Sequence, residues 1–140
     1  MTSAEQLPPQ VRERVADIEK VISVGGPVRV LYRLVTADRT GPQHFVSNLS
    51  RCRIPRGPER DSPIIWAGIS MYDSTQQAET TARRYKGRVG TYLAEVHIPE
   101  EAPQVVVLPT LTVGHFTVLC CIPGLMLMVH DVRPIVGLAG

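Results

Sequence analysis

Apolar and polar residues alternate along this chain with two periods, one helical and one extended. Apolar residues recur at helical spacing over residues 11–21, with Val15 and Ile18 on one face, so the pattern predicts an amphipathic helix there. Gly25-Gly26-Pro27 is a typical helix end. The polar, proline-bearing residues 1–10 are predicted to be a flexible lead-in, which leaves residues 11–140 as a single α+β domain.

The extended period begins at residue 28. Val28–Val35 is rich in β-branched and aromatic residues and is predicted to be a strand. Strict alternation places Arg33 on the same face as Leu31 and Val35. A guanidinium between apolar neighbours needs hydrogen-bond partners or must line a groove.

A strand–helix–strand unit follows in the middle of the chain. Residues 64–71 and 89–98 have the composition of strands. Between them, Ser74 and Gln77 have the spacing of a capping box, which predicts a helix that starts at Ser74 and runs to about Tyr85. The connection over residues 36–63 is long and polar, and two interpretations stay open for it: a functional lid, or simple surface.

The last third of the chain is apolar and divided by turn residues. Strands are predicted over residues 104–108, 115–121 and 125–135, with the last two joined at Pro123-Gly124 as a core hairpin. The apolar run 118–129 is too short to span a bilayer. Together these elements predict an α+β fold, with one or two helices packed on a bent, mainly antiparallel sheet.

Charge changes this picture little. The net charge of +2 is too small to indicate nucleic-acid binding by itself. Basic residues concentrate in residues 51–60 and 83–88, as either solvated surface or an anion-binding rim. RNA or nucleotide binding through residues 51–60 is a weaker alternative, because that stretch lacks interleaved aromatic residues for base stacking.

Cysteine and histidine positions predict neither disulfides nor a metal site. The three cysteines do not make a disulfide framework, and the adjacent Cys120 and Cys121 are expected to be reduced and buried. The N-terminus lacks the pattern of a signal peptide, so a cytoplasmic location is expected. The four histidines are scattered without metal-ligand spacing: His44, His97, His115 and His130.

One stretch of the chain resembles a known superfamily. A strand with Leu31-Tyr32-Arg33, a long polar loop, a strand ending near Ser70, a short helix and a strand with Tyr92-Leu-Ala-Glu95 follow one another. This order, over residues 31–99, resembles the ADP-ribosyltransferase-like superfamily, most of all compact bacterial members such as rifampin-modifying transferases and RES-type toxins. The resemblance implies a split sheet whose cleft binds NAD as a substrate.

The resemblance also assigns roles to the first two parts of the site. Arg33, with Tyr32 beside it, matches the early residue that anchors the NAD phosphates or ribose, and a guanidinium can bind a diphosphate with two hydrogen bonds. Ser70 and Tyr72 match the second part, which shapes the nicotinamide pocket. A tyrosine ring can stack on nicotinamide, and Ser70 could bond the carboxamide or ribose.

The third part, a late acidic residue, does not match the superfamily's Gln-x-Glu or Glu-x-Glu signature. Asp131 is the single acid after Pro103, and Glu95 is the other candidate. Either carboxylate would stabilise an oxocarbenium-like ribose, although both are also ordinary strand residues. Glu95 shares a strand face with His97 by alternation. His115 is either a further cofactor-binding residue or a core histidine bonded to backbone.

Two functions are therefore expected. The first is an NAD-dependent enzyme that transfers ADP-ribose to an unidentified protein, nucleic acid or small molecule, or cleaves NAD outright, in the setting of a bacterial toxin or modifying enzyme. The second is a protein-interaction module on the same fold that has lost catalysis. The apolar run 118–129 would be its partner or homodimer surface if exposed, and core if buried.

Overall fold

The computed structural model describes residues 9–36, 68–102 and 105–138. Within these ranges the chain forms three helices and six strands. In chain order they are α1 (Pro9–Val24), β1 (Val28–Val35), β2 (Ile69–Tyr72), α2 (Thr75–Arg84), β3 (Tyr92–Pro99), β4 (Val106–Pro109), β5 (His115–Leu119), α3 (Ile122–Leu127) and β6 (Val129–Pro134). The strands make one antiparallel sheet in the order β4-β5-β2-β1-β3-β6. The predicted α+β class is confirmed.

The strands pair unevenly in the middle of the sheet. β1 and β3 are in register along all eight residues of each strand, and β2 pairs with β5 through all four of its residues. β1 and β2, in contrast, meet at Tyr32 and Tyr72. We call this short pairing the split; within the described residues it joins a β4-β5-β2 half of the sheet to a β1-β3-β6 half.

Helices cover both faces of the sheet. On one face, α1 and α3 pack over a core that includes Ile18, Leu31 and Leu125, all buried. On the other face, α2 presents two buried alanines, Ala78 and Ala82, to Leu34 and Leu93. Since both faces carry apolar residues, β1 and β3 read as nearly continuous apolar runs interrupted by a few polar positions.

The first helix confirms the amphipathic pattern and corrects its start. Helix α1 buries Val15 and Ile18, as predicted, and ends before Gly25, whose φ of +82° is a left-handed value that favours glycine. It begins at Pro9 rather than residue 11, so the last two residues of the predicted lead-in are helical. Proline suits the first helical position because its missing N–H would have no partner there. Residues 1–8 lie outside the described ranges.

The central helix confirms the predicted cap. Ser74 Oγ accepts a hydrogen bond from the Gln77 backbone N–H at 3.2 Å, and the helix ends at Arg84. The Gln77 side chain does not complete a reciprocal box but donates to Thr112 Oγ1 at 3.5 Å. Of the neighbouring predictions, residues 37–67 lie outside the described ranges, so most of the 36–63 connection and the arginines of 51–60 are not placed.

The predicted hairpin at Pro123-Gly124 is wrong. Residues 122–127 form helix α3, and β5 and β6 are separated in the sheet by β2, β1 and β3. Proline is tolerated in the first turn of a helix, so Pro123 does not force a turn. Gly124 lets α3 approach α1 closely, because a Cβ on it would lie 2.6 Å from Ile18 Cδ1. The strand predicted over 125–135 is correspondingly shortened to Val129–Pro134.

Helix α3 lies within the apolar run 118–129, and its packing buries much of that run. Val118, Leu125 and Met128 are buried in the core, whereas Leu127 is 43% exposed. The run is therefore core rather than an exposed face, and Leu127 is its large apolar side chain at the surface. No helix within the described residues is long and apolar enough to cross a membrane.

Candidate functional site

Five polar or aromatic residues on five neighbouring strands lie in register across the sheet. Residues directly opposite each other in an antiparallel ladder project to the same face. The set, which we call the polar row, contains most of the residues that the sequence singled out. From β5 to β6 it runs His115, Tyr72, Tyr32, Glu95 and Asp131.

The β5 end of the polar row is a buried histidine. His115 is 4% exposed, and its Nδ1 lies 3.1 Å from the Thr110 carbonyl oxygen and 3.0 Å from Thr110 Oγ1. Because a carbonyl only accepts, Nδ1 carries the proton. Burial lowers the pKa of His115; the hydrogen bond to the Thr110 carbonyl opposes this shift, and the positive charge of Arg33 adds to it. The ring is therefore neutral and held by the backbone, as the core-histidine interpretation expects.

The middle of the polar row is aromatic. Tyr32 and Tyr72 are half-buried and pack beside Leu34 and Leu93, at the border of the surface that α2 covers. The Tyr72 and His115 rings make an edge-to-face contact at a centroid distance of 5.2 Å and an interplanar angle of 76°. The two partly buried tyrosines thus lie side by side at the point where the two halves of the sheet meet.

Arg33 and Ser70 lie at the split rather than in the polar row. Alternation places Arg33 on the face opposite Tyr32, and its Nη1 donates to the Ser70 backbone carbonyl at 2.9 Å. This bond joins β1 to β2 beyond their meeting point, so Arg33 helps to hold the two halves of the sheet together. The bond supplies one of the hydrogen-bond partners that the apolar neighbours of Arg33 led us to expect.

The β3 position of the polar row is an ionised carboxylate. Glu95 Oε2 accepts a hydrogen bond from His97 Nε2 at 2.6 Å, and Oε1 lies 3.4 Å from Arg133 Nη1. The hydrogen bond from His97 is the largest cause that lowers the pKa of Glu95, and Arg133 adds to it. Asp131, the other candidate acid, is 3.6 Å from Arg133 and more exposed, at 53% against 20% for the Glu95 side chain.

Two histidines join Glu95 that the sequence did not connect. The rings of His97 and His130 stack in parallel, with centroids 4.2 Å apart and an interplanar angle of 10°. The pairing of β3 with β6 shifts between Glu95 and Val96, so His130 is an extra residue in β6. The spacing of Glu95 and His97 indicated their shared face, but no local signal marks the bulge that brings His130 to them.

The arrangement thus has two chemically distinct parts on one face of the sheet. Tyr72 and Tyr32 can stack on a flat ring, and Glu95 can oppose a developing positive charge two strands from Tyr72, a distance of about 10 Å. Comparisons of the chain with protein-family models, curated proteins and solved structures found no match.

Proposed function

We propose that Tyr72, Tyr32 and Glu95 of the polar row bind NAD and that the protein cleaves its nicotinamide–ribose bond, releasing the ADP-ribosyl group to an acceptor or to water. The observation that carries this proposal is the register that aligns Tyr72, Tyr32 and Glu95 on adjacent strands. A ring-stacking surface at one end and a carboxylate at the other match the two needs of this substrate. These are a site for the nicotinamide and a negative charge near its ribose.

The proposed chemistry uses the charge of Glu95. Nicotinamide leaves with the electron pair of the glycosidic bond, and the ribose becomes oxocarbenium-like at C1′. The Glu95 carboxylate stabilises this positive charge, while the Tyr72 ring packs against the departing nicotinamide. Attack at C1′ by water or by the acceptor's nucleophilic atom, which gives up its proton, completes the exchange. Ser70, two residues before Tyr72 and on the same face of β2, would contact the ribose.

Glu95 is the better candidate for this role than Asp131. His97 and Arg133 hold the Glu95 carboxylate in one orientation and keep it ionised. Asp131 lies at the outer strand, more than half exposed, and water screens its charge. A carboxylate that stabilises a transition state must be oriented before the reaction begins. We also propose that the protein acts in the cytoplasm as a toxin or modifying enzyme. Its acceptor would be a protein, a nucleic acid or a small molecule.

Release of nicotinamide from NAD tests the proposal directly. The wild-type chain should release nicotinamide, and Glu95→Gln should release it at least about a hundredfold more slowly, because the amide removes the charge and keeps the shape. Asp131→Asn is the matched control and should stay within about threefold of wild type, as for an exposed charge. Absence of release by the wild type, or equal rates for Glu95→Gln and wild type, would contradict the proposal.

A further inference from the structure

Glu95, His97 and His130 form a cluster whose donor atoms converge. One ligand atom from each, a carboxylate oxygen and two imidazole nitrogens, lies within 4.8 Å of the other two. Donors around a tetrahedral zinc ion lie about 3.4 Å apart, because its bonds to nitrogen and oxygen are about 2.1 Å long. Because an imidazole nitrogen binds a metal in the plane of its ring, placing all three around one ion requires one ring to turn out of the parallel stack of His97 and His130. It also requires the Glu95 carboxylate to move away from His97 Nε2. The sequence spacing predicted no metal site, since two strands distant in sequence supply these residues.

The backbone holds this cluster in place. Glu95 and His97 are two residues apart on β3 and share a face. His130 joins them through the bulge in β6, and the His97 backbone N–H donates to the Met128 carbonyl at 2.8 Å just beyond the ladder. Bulges re-aim side chains beside functional sites. A site on two paired strands keeps its geometry better than one on loops.

The surroundings leave room for a ligand. A cleft of about 220 Å³ adjoins both histidines and is lined mainly by apolar residues of α1, α3 and β6, among them Val21, Leu127 and Val129. Three protein ligands beside an accessible cleft are the pattern of metal sites that keep a coordination position for water or substrate. Imidazole and carboxylate together suit zinc and its first-row neighbours rather than magnesium or calcium, which prefer oxygen ligands.

Arg133 carries a positive charge beside the cluster and would repel a cation bound there. Its Nη1 lies 3.4 Å from Glu95 Oε1, but it also lies 3.6 Å from Asp131 Oδ2 and is 43% exposed. Asp131 can therefore keep Arg133 when the Glu95 carboxylate turns toward a metal. The two carboxylates and one guanidinium leave the site with a net negative charge when the histidines are neutral.

We propose that Glu95, His97 and His130 bind a divalent transition-metal ion of the zinc class, with an open position facing the cleft. On binding, the metal takes the place of the proton between His97 Nε2 and Glu95 Oε2. This site does not depend on NAD binding. It would compete with the role of Glu95 proposed above, because a carboxylate bonded to a metal has little charge left for a ribose.

Calorimetric titration of zinc chloride into the untagged chain tests this site. We expect one ion to bind per chain. Loss of a side chain that only supports a metal ligand typically weakens metal binding 10- to 100-fold. Loss of a ligand should cost at least as much, so His130→Gln and His97→Gln should each weaken zinc binding at least about tenfold. Arg133→Gln, which removes the opposing charge, should tighten it about fivefold.

Two controls separate this site from other zinc-binding groups. Glu13→Gln changes an exposed carboxylate of α1, and Cys121→Ser changes a free thiol; both should bind zinc as the wild type does. Thermal unfolding of each variant checks that it is folded. The proposal is overturned if the wild type binds no zinc, if His130→Gln binds as tightly as wild type, or if Cys121→Ser abolishes binding.

Discussion

At the scale of single residues, Glu95 is a partly buried carboxylate that its hydrogen-bonding and cationic partners keep ionised. Its partner His97 could be predicted from the sequence, because residues two apart on a strand share a face. Arg133 and His130 could not, since they come from a strand whose pairing with β3 depends on the whole sheet. The same limit applies to Arg33, where the need for a partner was predictable but the Ser70 carbonyl was not.

The buried His115 should make stability depend on pH. Burial lowers the pKa of its imidazole from 6.5, so as the pH falls below 6.5 the unfolded chain takes up a proton that the folded chain does not. The unfolded state then binds more protons, and the free energy of unfolding decreases until the pH passes the folded-state pKa. Denaturant unfolding at several pH values should show this decrease, and His115→Phe should make it shallower. An unchanged slope in the variant would contradict the assignment.

The Arg33 bond should contribute to stability independently of any ligand. Arg33→Ala leaves the Ser70 carbonyl without this donor and should reduce the free energy of unfolding by about 1–3 kcal/mol. Arg88→Ala, at an exposed arginine beyond α2, is the control and should change it by less than about 0.5 kcal/mol. Urea unfolding of both variants measures the difference, and equal stabilities would remove the proposed link between the sheet halves.

At the scale of elements, the bounds of a helix or strand could be predicted where the signal lies within a few neighbouring residues. The spacing of Ser74 and Gln77 identified the start of α2, and the composition of Val28–Val35 identified β1 to the residue. Pro123-Gly124 misled, because the same dipeptide suits a tight turn and, with proline in its first turn, a short helix. The packing of α3 against Ile18, which is distant in sequence, decides between them.

The contact of α3 with α1 predicts a strong effect of a small substitution. Gly124→Ala adds a Cβ that would lie 2.6 Å from the buried Ile18 Cδ1 and 3.1 Å from the sulfurs of Cys120 and Cys121. The overpacking should cost about 1–3 kcal/mol and outweigh the gain of about 1 kcal/mol from replacing glycine by alanine in a helix. Leu127→Ala, on the exposed side of the same helix, should cost less than half of this. Thermal and denaturant unfolding give both values. A neutral Gly124→Ala would mean that α3 does not approach α1 as described.

The helix cap of α2 gives a smaller, separable effect. Ser74→Ala removes the oxygen that accepts from the Gln77 N–H and should lower the free energy of unfolding by about 1 kcal/mol. Gln76→Ala, at an exposed position in the first turn, is the matched control and should be nearly neutral. Denaturant midpoints at constant slope measure both, and a cap variant as stable as its control would refute the assignment.

At the scale of the whole molecule, the order β4-β5-β2-β1-β3-β6 makes the candidate site. It places Tyr72, Tyr32 and Glu95, which are up to 63 residues apart in sequence, on three adjacent strands in one register. The α+β class could be predicted, because it depends on the number and type of local elements. The strand order and the bulge at His130 could not, because long-range pairing sets them.

Binding of NAD to the polar row is the central claim, and a calorimetric titration of NAD tests it most directly. The wild type should bind in the micromolar to sub-millimolar range, and Tyr72→Ala should weaken binding about tenfold through loss of ring stacking. Tyr85→Ala, at an exposed tyrosine beyond the end of α2, is the matched control and should bind as the wild type does. If the wild type binds no NAD, or if both tyrosine variants bind as it does, the polar row is not the NAD site.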